Sequence, residues 1–83
     1  PVVLDRGMSK LPIVDARTFE RILLKWGFTA IRQKGSHVFY RHPDGRYTTL
    51  PHHKGQDISR PLIRKILNEI QVTPEVFVAA LNG

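Results

Sequence analysis

The sequence predicts a small α+β domain, a two-layer sandwich in which helices cover one face of a three-stranded antiparallel sheet. A first helix is indicated by apolar side chains at helical spacing: Phe19, Ile22, Leu23 and Trp26. Two runs of aromatic and β-branched residues flank Pro43, Asp44 and Gly45, which predicts a hairpin. A second helical stripe follows Ser59, so the predicted order is α-β-β-β-α.

The first helix is predicted over residues 16–26. Asp15 is its expected N-cap, because a carboxylate at that position accepts from the free amides of the first turn. Gly27 is expected to end the helix, because glycine takes the left-handed conformation without strain.

The three strands are predicted at residues 28–33, 37–42 and 46–50. In the first strand, simple alternation places Phe28, Ala30 and Arg32 on one side of the sheet. Residues 34–36 are expected to form a tight turn between the first two strands. Pro51 is expected to stop the third strand, because proline has no amide to donate to the ladder.

The second helix is predicted to begin after Ser59, with Pro61 in its first turn, where a missing amide is harmless. Its expected buried stripe is Leu62, Ile63, Ile66, Leu67 and Ile70. Thr73 and Pro74 begin a short last helix in the same way.

The length of the chain, 83 residues, allows one small domain. Residues 1–7 have no helical or strand period and precede Met8, so we expect a leader or a cloning remnant there and a single domain over residues 8–83. The longest apolar run, residues 76–81, is far short of the roughly 20 residues that span a bilayer, so no membrane partner is expected. The lack of cysteine excludes disulfides and fits the cytoplasm, where we expect the protein to act.

The charge balance is strongly basic, with 13 Lys and Arg against 7 Asp and Glu and a net charge of +6. A small basic domain is a candidate for binding phosphate backbones. Charge alone equally allows a soluble basic protein with no nucleic-acid partner.

The strand alternation predicts which side chains lie on the uncovered sheet face. Because burying Arg41 would be unfavourable, Val38 and Tyr40 are assigned to the core. On the third strand, Thr48 and Leu50 are then expected to face the core. The open face is expected to carry His37, Phe39, Arg41, Tyr47 and Thr49.

All four histidines lie between residues 33 and 53, and His37 is the candidate for chemistry. Histidine suits proton transfer near pH 7, and the amides of Gly35 and Ser36 could approach a phosphate closely. An ordinary strand histidine remains an open alternative at this stage. His52 and His53 do not predict a metal site, because neighbours on an extended chain point in opposite directions.

The chain from Met8 to Phe77 resembles the HicA-type mRNA interferase toxins, also called the YcfA-like family. The resemblance rests on motifs in order along the chain: Ser9-Lys10-Leu11-Pro12, Gly27-Phe28, Lys34-Gly35-Ser36-His37, Arg41-His42-Pro43-Asp44-Gly45-Arg46, Pro51-x-His53-x-Gly55 and Leu62-x-x-Lys65-Ile66-Leu67. Each motif is weak alone, and their order and spacing together make the match specific.

The resemblance implies a fold like the double-stranded-RNA-binding domain and a ribonuclease that cuts mRNA and arrests translation. It implies that His37 is the catalytic histidine, acting without a metal cofactor. It also implies a HicB-type antitoxin that binds and covers the active face.

A set of residues clustered around one hairpin is expected to contact RNA or its phosphates: Lys34, Gly35, Ser36, Phe39, Arg41, Arg46, Tyr47, His53 and Lys54. Lys34 and the amides of Gly35 and Ser36 would stabilise the phosphate, while Phe39 or Tyr47 would stack a base. Two alternatives remain open: a non-catalytic RNA-binding module, and an interaction domain whose basic face meets an acidic partner.

Overall fold

A computed structural model describes residues 11–83, which form three helices and one sheet. The elements are α1 (Ala16–Lys25), β1 (Thr29–Lys34), β2 (His37–Arg41), β3 (Tyr47–Pro51), α2 (Arg60–Ile70) and α3 (Pro74–Asn82). The predicted α+β class and the order α-β-β-β-α with a short last helix are confirmed. The leader expected at residues 1–7, together with residues 8–10, lies outside the described residues.

The sheet is antiparallel with the order β1-β2-β3, so β2 is central. Val38 pairs with Leu50 and Tyr40 with Thr48, and all four side chains are buried. These four residues form the face that packs on the helices, as the alternation predicted. The opposite face of β2 and β3 carries the pairs His37–Pro51, Phe39–Thr49 and Arg41–Tyr47.

A β-bulge in β1 changes the expected alternation. Ala30 pairs with Tyr40, whereas Arg32 pairs with Phe39, and the register shifts between them. Since paired residues share a face, Ala30 and Arg32 lie on opposite faces. The expectation that they share one side was therefore wrong, because the bulge inserts an extra residue into the strand.

The helix caps match the sequence pattern. Asp15 accepts from the amide of Thr18 at 2.9 Å, and Ser59 and Thr73 begin α2 and α3 in the same way. Gly27 follows α1 with a φ of +96°, as its predicted role requires. Phe19 and Phe77 then join α1 to α3, with their ring centroids 4.8 Å apart.

The position of α2 determines how the helices border the open face of the sheet. Its side chains Ile63, Ile66, Leu67 and Ile70 are buried in the core. The buried Thr48 hydroxyl donates to Glu69 at 2.7 Å, so α2 lies alongside β3 at the edge of the sheet. Thr48 lies on the covered face, but α2 also lines a groove that contains His37, Thr49 and Pro51 of the opposite face, so one side of α2 borders the open face. Within residues 11–83, no helix has the length and apolar character needed to cross a membrane.

Candidate functional site

His37 is the first residue of β2 and is exposed. It lies opposite Lys34 on β1 and opposite Pro51 on β3. The turn that precedes it contains Gly35, which has a φ of +59° and no heavy atom within 4 Å of the place where a Cβ would lie. The space on the Cβ side of Gly35 is therefore free, while the Gly35 and Ser36 carbonyls accept from Gln33 and from the His52 amide.

A groove of about 240 Å³ contains His37 between the sheet and α2. The sheet contributes Thr49 and Pro51 to its lining together with His37. The helix contributes Leu62, Lys65, Ile66 and Glu69. Leu62 lies three and four residues before Lys65 and Ile66, and Glu69 lies four and three residues after them, so the four positions form one stripe along α2.

The helical wall of this groove carries two opposite charges. Lys65 and Glu69 pair across one turn of α2, with the Lys65 ammonium 3.7 Å from a Glu69 carboxylate oxygen. The other Glu69 carboxylate oxygen accepts from the Thr48 hydroxyl. The groove thus combines an imidazole, an ammonium group and a carboxylate, which are groups able to move protons and to stabilise an anion.

Three further predicted residues share the face of His37. Phe39 and Arg41 follow it at alternate positions of β2, and Tyr47 pairs with Arg41. Tyr47 is 69% exposed. The guanidinium of Arg32 lies 4.6 Å from the centre of the Phe39 ring. The open face therefore offers aromatic and cationic side chains in a row, a combination that suits stacked bases and phosphates.

Ser36, His53 and Lys54 gather where β3 ends. The amide of His52 donates to the Ser36 carbonyl at 2.6 Å, and the Ser36 hydroxyl lies 3.5 Å from Nε2 of His53. His53 and Lys54 also line a second hollow of about 250 Å³ beside the start of α1. The structure thus places the Ser36 to His37 segment next to the Pro51 to Lys54 segment.

Arg46 was predicted to contact RNA, but its side chain is bound to other parts of the protein. Its Nε donates to both carboxylate oxygens of Asp44, at 3.1 and 2.9 Å, and its Nη1 donates to the Ile70 carbonyl. Its guanidinium also lies 5.2 Å from the centre of the Phe28 ring. Hydrogen bonds from Arg46, the first of them from its backbone amide, hold the pKa of Asp44 below its usual value. Arg46 therefore clamps the β2–β3 turn to the end of α2 and does not line the His37 groove.

A partly buried hydrogen-bond network behind the site was not anticipated from the sequence. The Tyr40 hydroxyl donates to Glu20 at 2.5 Å and lies 2.8 Å from Nε2 of His52. Burial, aided by this bond to Glu20, raises the pKa of Tyr40 above its usual value. Since the single phenolic proton goes to Glu20, His52 is the donor in the second bond. This network fixes the segment that pairs with Ser36.

The sequence also did not indicate that Lys65 and Glu69 line the groove with His37. Their i,i+4 spacing was visible in the sequence, but it is the common pattern of a solvated helix face. Only the packing of α2 beside β3 brings them to His37. In the described range 11–83, no three His, Cys, Asp or Glu side chains come together as a metal-binding group.

Comparison with known proteins agrees with the geometry. No curated protein sequence matches the chain. A family profile described as the HicA toxin of bacterial toxin-antitoxin matches residues 16–72, well over half of the chain. The matched segment runs from the start of α1 through the sheet to the end of α2, and so includes the His37 groove. The chain therefore belongs to the HicA toxin family of bacterial toxin–antitoxin systems.

Proposed function

We propose that this protein is the toxin of a type II toxin–antitoxin pair and acts as a metal-independent endoribonuclease on mRNA. Membership of the HicA toxin family supports the toxin role. The observation that carries the proposed activity is the exposed His37 in a groove beside an aromatic and cationic sheet face. Cleavage of mRNA would arrest translation, and we expect the protein to act in the cytoplasm.

RNA supplies its own nucleophile for this reaction. A base takes the proton of a 2′-OH, the O2′–P bond forms, the P–O5′ bond breaks, and an acid protonates O5′. His37 is the proposed general base or general acid. Lys34, which pairs with His37 across the strands, stabilises the charged phosphorane together with the amides of Gly35 and Ser36.

The rest of the open face positions the substrate in this proposal. Arg41 and Lys54 hold the backbone, and Phe39 or Tyr47 stacks a base. His53 lies beside Ser36 and contacts the same stretch of RNA. The sequence-based proposal also placed Arg46 on the RNA backbone. Because its guanidinium is engaged with Asp44 and Ile70, we assign it the weakest contribution of this set.

The family also implies a partner protein, since a HicA toxin belongs to a toxin–antitoxin system. We propose that this partner is a HicB-type antitoxin that covers the open sheet face. A protein seated there would block the groove around His37 and would meet the exposed cations Arg41 and Lys34. An acidic contact surface is the chemistry that would complement them.

The test is incubation of the purified protein with a long single-stranded RNA in excess EDTA. The parent should cleave the RNA, and His37→Ala should cleave it about 10²–10⁴-fold more slowly while keeping the same fold. Lys25→Ala is the control, because Lys25 is exposed in the last turn of α1. Equal rates for the parent and His37→Ala would refute the proposed role of His37.

The second candidate is a non-catalytic RNA-binding module. The row of Phe39, Arg41 and Tyr47 on the open face would serve binding as well as cleavage. This candidate predicts that neither the parent nor His37→Ala cleaves RNA in the same assay, while both bind it with strong salt dependence. An interaction domain for an acidic partner predicts neither cleavage nor RNA affinity.

A further inference from the structure

The geometry points to Glu69 and Lys65 of α2 as catalytic residues that act together with His37. This inference rests on the proposed ribonuclease function and gives each of the three residues one role. Glu69 is the general base, His37 is the general acid, and Lys65 stabilises the phosphorane.

The fixed position of Glu69 is the first observation behind this assignment. Thr48 is 2% exposed, so its hydroxyl is a buried donor that holds one oxygen of the Glu69 carboxylate at 2.7 Å. The side chain of Glu69 is 39% exposed, which leaves the carboxylate accessible from the groove. A carboxylate held by a buried neighbour is preorganised, unlike a free surface glutamate.

The second observation is the composition of the groove itself. Two proton-transfer groups are needed for cleavage through the 2′-OH. The side chains that line the groove include three ionisable groups, His37, Lys65 and Glu69. At neutral pH a carboxylate accepts a proton and an imidazolium donates one, while a lysine ammonium supplies fixed positive charge.

The chemical step balances with these groups alone. The 2′-OH proton moves to the Glu69 carboxylate as the O2′–P bond forms. The P–O5′ bond then breaks, and the proton of the His37 imidazolium moves to O5′. The Lys65 ammonium faces the non-bridging phosphate oxygens as charge develops on them. The products are a 2′,3′-cyclic phosphate and a free 5′-OH.

The expected pH dependence follows from the two proton-transfer roles. Glu69 pairs with Lys65 on its own helix, lines the same groove as His37, and lines a second hollow together with Asp44, Arg46 and Tyr47. His37 lies opposite Lys34 on β1 and shares the groove with Lys65 and Glu69. Activity should need an ionised Glu69 and a protonated His37, so the rate should rise and then fall with pH.

A simple surface ion pair is the competing explanation for Lys65 and Glu69. Exposed i,i+4 pairs usually contribute little to stability and have no part in chemistry. That explanation predicts unchanged activity when either side chain is replaced.

The deciding experiment measures pH–rate profiles of Glu69→Gln and Lys65→Ala on single-stranded RNA in EDTA. Glutamine keeps an oxygen for the Thr48 hydroxyl, so the fold should be retained. Glu69→Gln should lower kcat about 10²–10⁴-fold and remove the rising acidic limb, with the falling limb kept. Lys65→Ala should lower kcat at least tenfold with little change in KM, and Lys65→Arg should restore part of the loss.

The matched controls are Glu75→Gln in α3 and Lys25→Ala in α1, both exposed and expected to keep the parental profile. Glu69→Gln and Lys65→Ala variants that cleave within about twofold of the parent would overturn the inference. If those two are active while His37→Ala is inactive, only this inference fails. If the parent itself does not cleave RNA, the proposed function fails and this inference fails with it.

Discussion

At the scale of single residues, Tyr40 combines complete burial with two side-chain hydrogen bonds. It is fully buried on β2, and its hydroxyl joins Glu20 of α1 to His52 after β3. One phenol thus connects the helix layer, the central strand and the segment that pairs with Ser36. Because buried polar groups are strongly disfavoured when they lack partners, this hydroxyl specifies how the three parts fit together.

We expect Tyr40→Phe to destabilise the protein by about 1–3 kcal/mol, because Glu20 and His52 would each lose a hydrogen-bond partner. Urea denaturation at neutral pH measures this change. Tyr47→Phe is the control, since Tyr47 is largely exposed and its loss of a hydroxyl should change stability by less than about 0.5 kcal/mol. Equal stabilities for the two variants would show that the network adds nothing.

Individual residues also differ in how far their contacts could be predicted from the sequence. Alternation along β2 was enough to place Val38 and Tyr40 in the core and His37 on the open face. It could not place the Tyr40 hydroxyl against Glu20 and His52, which lie 20 and 12 residues away along the chain. Such contacts depend on how the layers dock, and a local pattern does not contain that information.

At the scale of elements, the turns that follow α1 and β2 both depend on glycine. Gly27 and Gly45 have nearly the same positive φ, +96° and +99°. They differ in their surroundings. A Cβ on Gly27 would lie 3.0 Å from Nε2 of His42, whereas a Cβ on Gly45 would meet nothing within 4 Å.

We therefore expect Gly27→Ala and Gly45→Ala both to lower stability, since a left-handed backbone costs a non-glycine residue about 1–2 kcal/mol. Gly27→Ala should be the more harmful of the two. His42 has little freedom to move away, because its ring contacts Phe28 and its Nε2 lies 3.1 Å from the Trp26 carbonyl. Thermal unfolding of both variants makes the comparison, and a smaller loss for Gly27→Ala would contradict it.

Most element boundaries could be predicted from local chemistry. The bulge in β1 and the packing of α2 could not, because both depend on contacts between elements. Caps such as Asp15 and Ser59 act within one turn, so their sequence signal is complete. The bulge between Ala30 and Arg32 is different, because it depends on pairing with the neighbouring strand. The position of α2 beside the open face likewise depends on tertiary packing, which is why the sequence did not indicate that Glu69 and Lys65 line the groove with His37.

At the scale of the whole molecule, one face of the sheet packs against the helices and the other face is open. The helices and the buried face of the sheet form the core, which leaves His37, Phe39, Arg41 and Tyr47 on the other face. The net charge of +6 would favour the approach of a polyanion such as RNA, and the proposed reaction would take place in the groove beside α2. In the function proposed above, an antitoxin would bind this same face, because covering it would block both the substrate and His37.

The chemical nature of the ends left on cleaved RNA shows directly whether the 2′-OH is the nucleophile. The parent, treated with long single-stranded RNA in excess EDTA, should produce 2′,3′-cyclic phosphate and 5′-OH ends, because the 2′-OH is the nucleophile and His37 transfers a proton. His37→Ala should produce almost none of these ends over the same time. Products with 5′-phosphate and 3′-OH ends would mean that water attacks the phosphate, and this would contradict the proposed mechanism.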